Sequence, residues 1–138
     1  MANIIIHPND DGGMTFVMIA PNTPLSLEQC AAQAVPAGVP WRVVDHTILT
    51  DHDFRDAWQY TETGDVIPVN FAKAQAITKN RLRSERDPLL TAQDVLFQRA
   101  LETGADTTSI IAEKQRLRDI TNLTDSCTTL NELRALHC

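Results

Sequence analysis

The chain predicts an α+β fold: a small N-terminal β-sheet unit with one short helix, then an antiparallel helical hairpin and a short terminal helix. Three observations carry this reading. β-branched runs separated by turn residues fill the part before Asn70, and apolar stripes at helical spacing fill the part after it. Charge divides at the same place. Residues 1 to 70 hold two Lys or Arg against nine Asp or Glu, and residues 71 to 138 hold ten against nine. Such asymmetry points to two units with different surfaces, a small α+β domain over 1–69 and a helical hairpin domain over 70–138.

Hydrophobic residues make up 43% of the 138 but aromatic ones only 5%, so the core is built from Leu, Ile, Val and Ala. A net charge of −6 disfavours nonspecific binding to nucleic acid, whose phosphates require a positive surface. No apolar run reaches the roughly 20 residues of a membrane span. The stretch from Met1 to Pro8 lacks the basic lead and small-residue cleavage site of a signal peptide. Cys30, Cys127 and Cys138 are odd in number and have no CxxC spacing, so reduced thiols are expected, with Cys138 exposed and reactive.

Asn3–His7 and Thr15–Ala20 are β-branched runs flanking Pro8-Asn9-Asp10-Asp11-Gly12-Gly13, which predicts a β-hairpin. Those aspartates are read as turn residues. A calcium loop would need a bidentate Glu at its end, and no such Glu follows. Ser26-Leu27-Glu28-Gln29 fits a capping box that opens a short helix to about Ala34. Trp41–Asp45, entered through Val39-Pro40, is a third strand expected to pair with the hairpin.

The segment from Asp45 to Tyr60 holds Asp45, His46, Asp51, His52 and Asp53, the ligand types of a zinc or iron site. The spacing of His46 and His52 suits neither helix nor strand, however, and no third His lies nearby. The preferred reading is a short helix 51–58, capped by Asp51 and burying Phe54 and Trp58 one turn apart.

Asn70 caps a helix whose stripe is Phe71, Ala74 and Ile77. Lys79, Arg81, Arg83 and Arg86 form a basic cluster, read as a solvated face whose charges pair locally. Pro88 either starts a fresh helix after Asp87 or sits at a kink. Leu89, Ala92, Leu96 and Ala100, flanked by Val95, Phe97 and Leu101, continue the stripe to Thr103, where Gly104 ends the helix and Asp106 or Thr107 starts the next. That helix presents Ile110, Leu117 and Ile120, with the Lys114 stem along its stripe. Thr129-Leu130-Asn131-Glu132 is a second capping box and opens the last helix. Two helices with one stripe each cannot cover Phe71, Ile77, Leu82, Leu89, Phe97 and Ile111 together. These six are therefore the candidate partner-binding residues, for another protein or for self-association.

Gly38–Asp45, Phe54–Trp58, Ala72-Lys73-Ala74 and Asn80–Arg83 resemble a family of small tailed-bacteriophage proteins encoded beside tail genes. So do Pro88-Leu89-Leu90, Asp94, Phe97–Glu102 and Lys114–Asp119. Residues 80 to 120 also resemble the C-terminal part of tail-fibre assembly proteins, whose N-terminal region differs from this one. The resemblance implies a non-enzymatic tail component that binds a tail-fibre or baseplate protein and is retained in the virion, after assembly in the host cytoplasm. It carries over no catalytic residue, metal or cofactor, and no nucleic-acid or membrane partner. The alternative within it is a fibre-assembly chaperone absent from the mature virion. Outside it stand a metal-dependent hydrolase using His46, His52 and Asp53, and a DNA-binding regulator using Lys79 to Arg86. No Gly-x-Ser-x-Gly elbow supports a serine hydrolase.

Overall fold

The computed structural model describes residues 3–138 and has the α+β class: a three-stranded antiparallel sheet, then one long helix and shorter ones. It divides into two compact units, Met1–Asn70 and Phe71–Cys138.

In the first unit β1 (Asn3–Pro8) lies between β2 (Met14–Met18) and β3 (Arg42–Asp45). Ile4 faces Met18 and Val44, and Ile5 faces Val17 and Val43. Successive side chains leave a strand on opposite faces, so Ile4 and Ile6 share one face and Ile5 takes the other. Both faces are covered. Ile4 and Ile6 pack with Met14, Leu49, Trp58 and Ile67, while Ile5 packs with Ala31 and Val35. Three consecutive isoleucines at 1% exposure or less are the consequence of that double cover.

The β1–β2 turn engages its own acidic residues. Gly13 N–H donates to Asn9 Oδ1 (2.8 Å) and Asp11 Oδ1 (3.0 Å), and Gly12 takes φ +81°. α1 (Leu27–Ala34) opens with a complete capping box: Gln29 N–H to Ser26 Oγ at 3.2 Å and Ser26 N–H to Gln29 Oε1 at 2.9 Å. The segment after β3 departs from the predicted helix 51–58. It forms two 3₁₀ pieces, His46–Ile48 and His52–Ala57, the second kinked at Phe54, which is non-helical. Asp45 caps the first by accepting from Thr47 N–H at 3.0 Å. Asp51 takes φ +53° and makes no side-chain cap, because a left-handed residue turns its carboxylate away from the following amides. Trp58 anchors the segment. It is 2% exposed, and its Nε1–H donates to the Thr50 carbonyl at 2.9 Å.

In the second unit α2 runs unbroken from Phe71 to Thr103, 33 residues and about 50 Å long. Pro88 therefore starts no new helix. Its missing N–H leaves the Ser84 carbonyl without its ladder donor, yet Ser84 and Pro88 are both exposed and water can replace the bond. The buried line of its first half is Ala74, Thr78 and Leu82, with Thr78 Oγ donating to the Ala74 carbonyl at 2.9 Å. Leu117 of α3 (Thr108–Asp119), Ile120 and Thr124 of the 3₁₀ segment Ile120–Ser126, and Leu133 of α4 (Leu130–Ala135) are buried in the same unit. α2 packs against all three of these elements.

The α2–α3 turn is a Schellman motif. Ala105 N–H reaches the Ala100 carbonyl at 2.9 Å, Gly104 N–H points to Leu101 at 3.4 Å, and Gly104 takes φ +70°. Asp106 then accepts from Thr108 N–H (3.0 Å) and Oγ (2.7 Å), which holds its carboxyl below the ordinary range. Arg81 closes the other end of the unit. Its guanidinium donates to the Leu133 (3.1 Å) and Leu136 (2.8 Å) carbonyls at the C-terminal end of α4, and to Glu85 (3.0 Å). His137 Nδ1 meets the same Glu85 carboxylate at 2.9 Å.

Two predictions follow from these termini. A Cβ at Gly104 would touch nothing within 4 Å, so Gly104→Ala meets only backbone strain. It is expected to lower unfolding stability by about 1 kcal/mol in urea titrations. The second concerns Glu85, held below its ordinary 4.5 first by the hydrogen bond with His137, against desolvation, with Arg81 adding to the lowering. A depressed carboxylate stabilises the fold above its unfolded pKa, and that stability drains as pH falls through the folded one. Thermal midpoints between pH 7 and pH 3 should fall more steeply for the parent chain than for Glu85→Gln.

Candidate protein-binding surface

Two packed helices hide one stripe each, and a residue beside the stripe is sealed only where a third element lies over it. At the base of α2 the Ile120–Ser126 segment and α4 supply that third element. Farther out they do not. Of residues 83 to 116, all described, only Ala100 is buried. Leu89 is 42% exposed, Val95 and Leu96 45%, Ile111 51% and Leu101 61%.

The six candidates separate accordingly. Leu89 and Ile111 lie on this open surface. Phe71, Ile77 and Phe97 are half-buried. Leu82 is fully buried within its unit and offers no surface to a partner, because the elements after α3 fold back over it. Leu96 and Leu101 belong to the open surface although the sequence reading left them among the stripe and its flanks. The seven-residue interval between Leu89 and Leu96 was the available signal, since it places both on one side of α2.

Polar side chains around this surface are engaged with one another. Lys114 lies with Nζ 4.9 Å from the Phe97 ring centroid and 2.7 Å from Asp94 Oδ1, covering Phe97 with its stem. In the basic cluster Lys79 pairs with Asp125 at 3.0 Å, Arg83 donates to Asn80 at 2.8 Å, and Arg86 meets Asp87 at 3.4 Å. Glu113 and Arg116 pair at 2.6 Å, which holds the Glu113 carboxyl down. The groove beside α2, about 410 Å³, is lined by Thr91, Asp94, Val95, Gln98, Arg99 and Glu102, all on that one helix. A groove walled by a single helix is open to solvent, unlike the enclosed cleft that small ligands use.

The His and Asp residues of the first unit do not converge. Among the described residues, no group of three or more His, Cys, Asp or Glu could hold a metal ion. Asp45 is engaged by Thr47, whose hydrogen bonds hold its carboxyl low, and His46 Nδ1 lies 3.4 Å from it. His52 packs edge-on against Trp58 at 5.5 Å. The three cysteines are free thiols and half-buried. Cys138 donates to the Leu82 carbonyl at 3.5 Å, and burial pushes its thiol up, so it lacks the exposed, reactive character expected of it. No described helix is long and apolar enough to cross a membrane. Comparison with protein-family models, with curated proteins and with solved structures finds no match.

Proposed function

We propose that this chain is a non-enzymatic bacteriophage tail component that binds a tail-fibre or baseplate protein through the open part of its helical hairpin and stays in the virion. One observation supports the binding role: the five large apolar side chains from Leu89 to Ile111 that stand 42% or more in solvent. Of these, Leu89 and Leu96 stand two turns apart on one side of α2, and apolar residues aligned on an open helix face offer a ridge to a partner. The nature of the partner rests on the resemblance of residues 38–119 to phage tail proteins. The unpaired stripe is helical, so the segment it accepts is one that lays its own apolar ridge alongside, in the manner of a helix in a groove.

The test has two arms. Leu89→Lys with Leu96→Lys should leave helical circular dichroism unchanged, because both positions are already solvated. Loss of two leucines from an interface is worth roughly 3 kcal/mol, so affinity for the fibre or baseplate protein should drop about a hundredfold in pull-down titrations. Mass spectrometry of purified particles of the encoding phage should find the chain at a copy number like that of the fibre. Its absence from particles would defeat retention and favour the assembly chaperone. Unchanged affinity of the double variant would defeat the helical interface.

A further inference from the structure

The two edges of the sheet differ in a way that bears on binding. β3 is guarded: Pro40 precedes it, Arg42 and Asp45 put charge on it, and Arg42 is held to Thr61 Oγ (3.3 Å) and the Gly64 carbonyl (2.8 Å). Charge, proline and a covering loop are the usual means by which an edge refuses another strand. β2 lacks the first two. Met14-Thr15-Phe16-Val17-Met18 contains no charge and no proline, and keeps an uninterrupted register with β1. β1 lies on one side of it and no strand on the other among the described residues. Phe16 is 37% exposed and Met18 68%.

We propose that the outer edge of β2 accepts one further strand: an extended segment of a partner protein with apolar residues at alternate positions and Lys or Arg flanking them. The extended form is dictated by the edge, whose outward N–H and C=O groups repeat every second residue and match only another strand. Apolar alternation is dictated by the face. Met14, Phe16 and Met18 lie on the Trp58 side of the sheet, and a recess of about 300 Å³ is lined there by Met14, Phe16, Trp58, Arg55 and Asp56 together with Thr15. Phe16 meets Trp58 edge-on at 6.0 Å and forms part of its wall. A strand added about 4.8 Å outside β2 sets alternate side chains toward that recess. The basic flank is dictated by charge. Nine acidic residues against two basic ones occupy 1 to 70, with Asp10 and Asp11 in the turn that leads into β2. At the recess itself Arg55 is matched by Asp56. The same charge opposes a second copy of this edge, since pairing would set two strongly acidic units side by side.

This surface is independent of the helical one, and its test uses the full chain. Two capped heptapeptides serve as probes, Lys-Val-Thr-Val-Thr-Val-Lys and its counterpart with Glu at both ends, titrated into isotopically labelled protein. The basic peptide should shift the amides of Thr15–Val17 and slow their hydrogen exchange about tenfold, and the acidic one should bind at least tenfold more weakly. Phe16→Lys should weaken the basic peptide about tenfold. Met18→Lys, at a more exposed position, provides the same reading if Phe16→Lys disturbs the fold. Equal binding of both peptides, shifts confined to α2 and α3, or no shift at millimolar peptide would overturn the proposal. So would concentration-dependent protection of the β2 amides without peptide, which would make the occupant a second copy.

Discussion

Sealing an apolar side chain in so small a unit requires neighbours on more than one side, and both units are organised by where such neighbours end. β1 is covered on both faces and flanked by two strands, and its three isoleucines are invisible to solvent. The early turns of α2 meet the Ile120–Ser126 segment and the residues of and after α4, and Thr78 and Leu82 are as deeply buried. Where the cover stops, burial stops with it. The end of β2 and the outer part of the hairpin have the same kinds of residues and stand more open, with Met18 68% and Leu101 61% exposed. Enclosing a large aliphatic side chain is worth roughly 2 kcal/mol, and it is the covered positions that supply the stability of each unit.

Much of this was legible from residue pairs a few positions apart. Ser26 with Gln29, Thr129 with Glu132, and Gly104 after Thr103 act within one or two turns of backbone, and each lies where its local chemistry puts it. The box at α4 is a partial exception: Thr129 caps Glu132 N–H, but Glu132 reaches back to Thr128 N–H at 2.7 Å. What stayed hidden depends on contacts remote in sequence or on water. Pro88 is tolerated because its helix face is solvated, which no local rule foresees. Thr78 and Thr124 look like surface residues, yet each bonds a carbonyl of its own turn and is buried as if apolar. The 3₁₀ form of Ile120–Ser126 lets Thr124 sit inside while its carbonyl accepts from Gln75, 49 residues earlier. Spacing cannot announce such a bond.

The candidate surface was legible to the same extent and for the same reason. Periodicity identified an apolar surplus on the helices, since counting stripes requires no knowledge of the fold. Assigning the surplus to particular residues requires knowing which parts of α2 carry a third element. Leu82 and Leu89 are seven apart and fall on one side of the helix, and the return of the chain after α3 separates them into a buried residue and an open one. Arg81 is central to that return, since its bonds to the ends of α4 hold the covering helix against α2.

The polar groups of the chain cap and staple its elements. Here the carboxylates that depart from ordinary behaviour do so as caps and ion pairs: Asp45 on Thr47, Asp106 on Thr108, Glu85 on His137 and Arg81, Glu113 on Arg116. Each is lowered by the bond that ends or staples an element, which is a structural task. The open features are of another kind, a helical apolar face and an unguarded strand edge. They discriminate by different means, the first by the shape of side chains and the second by the conformation of a main chain. The two proposed surfaces would therefore select partners of different kinds, a folded helix for the first and an extended segment for the second.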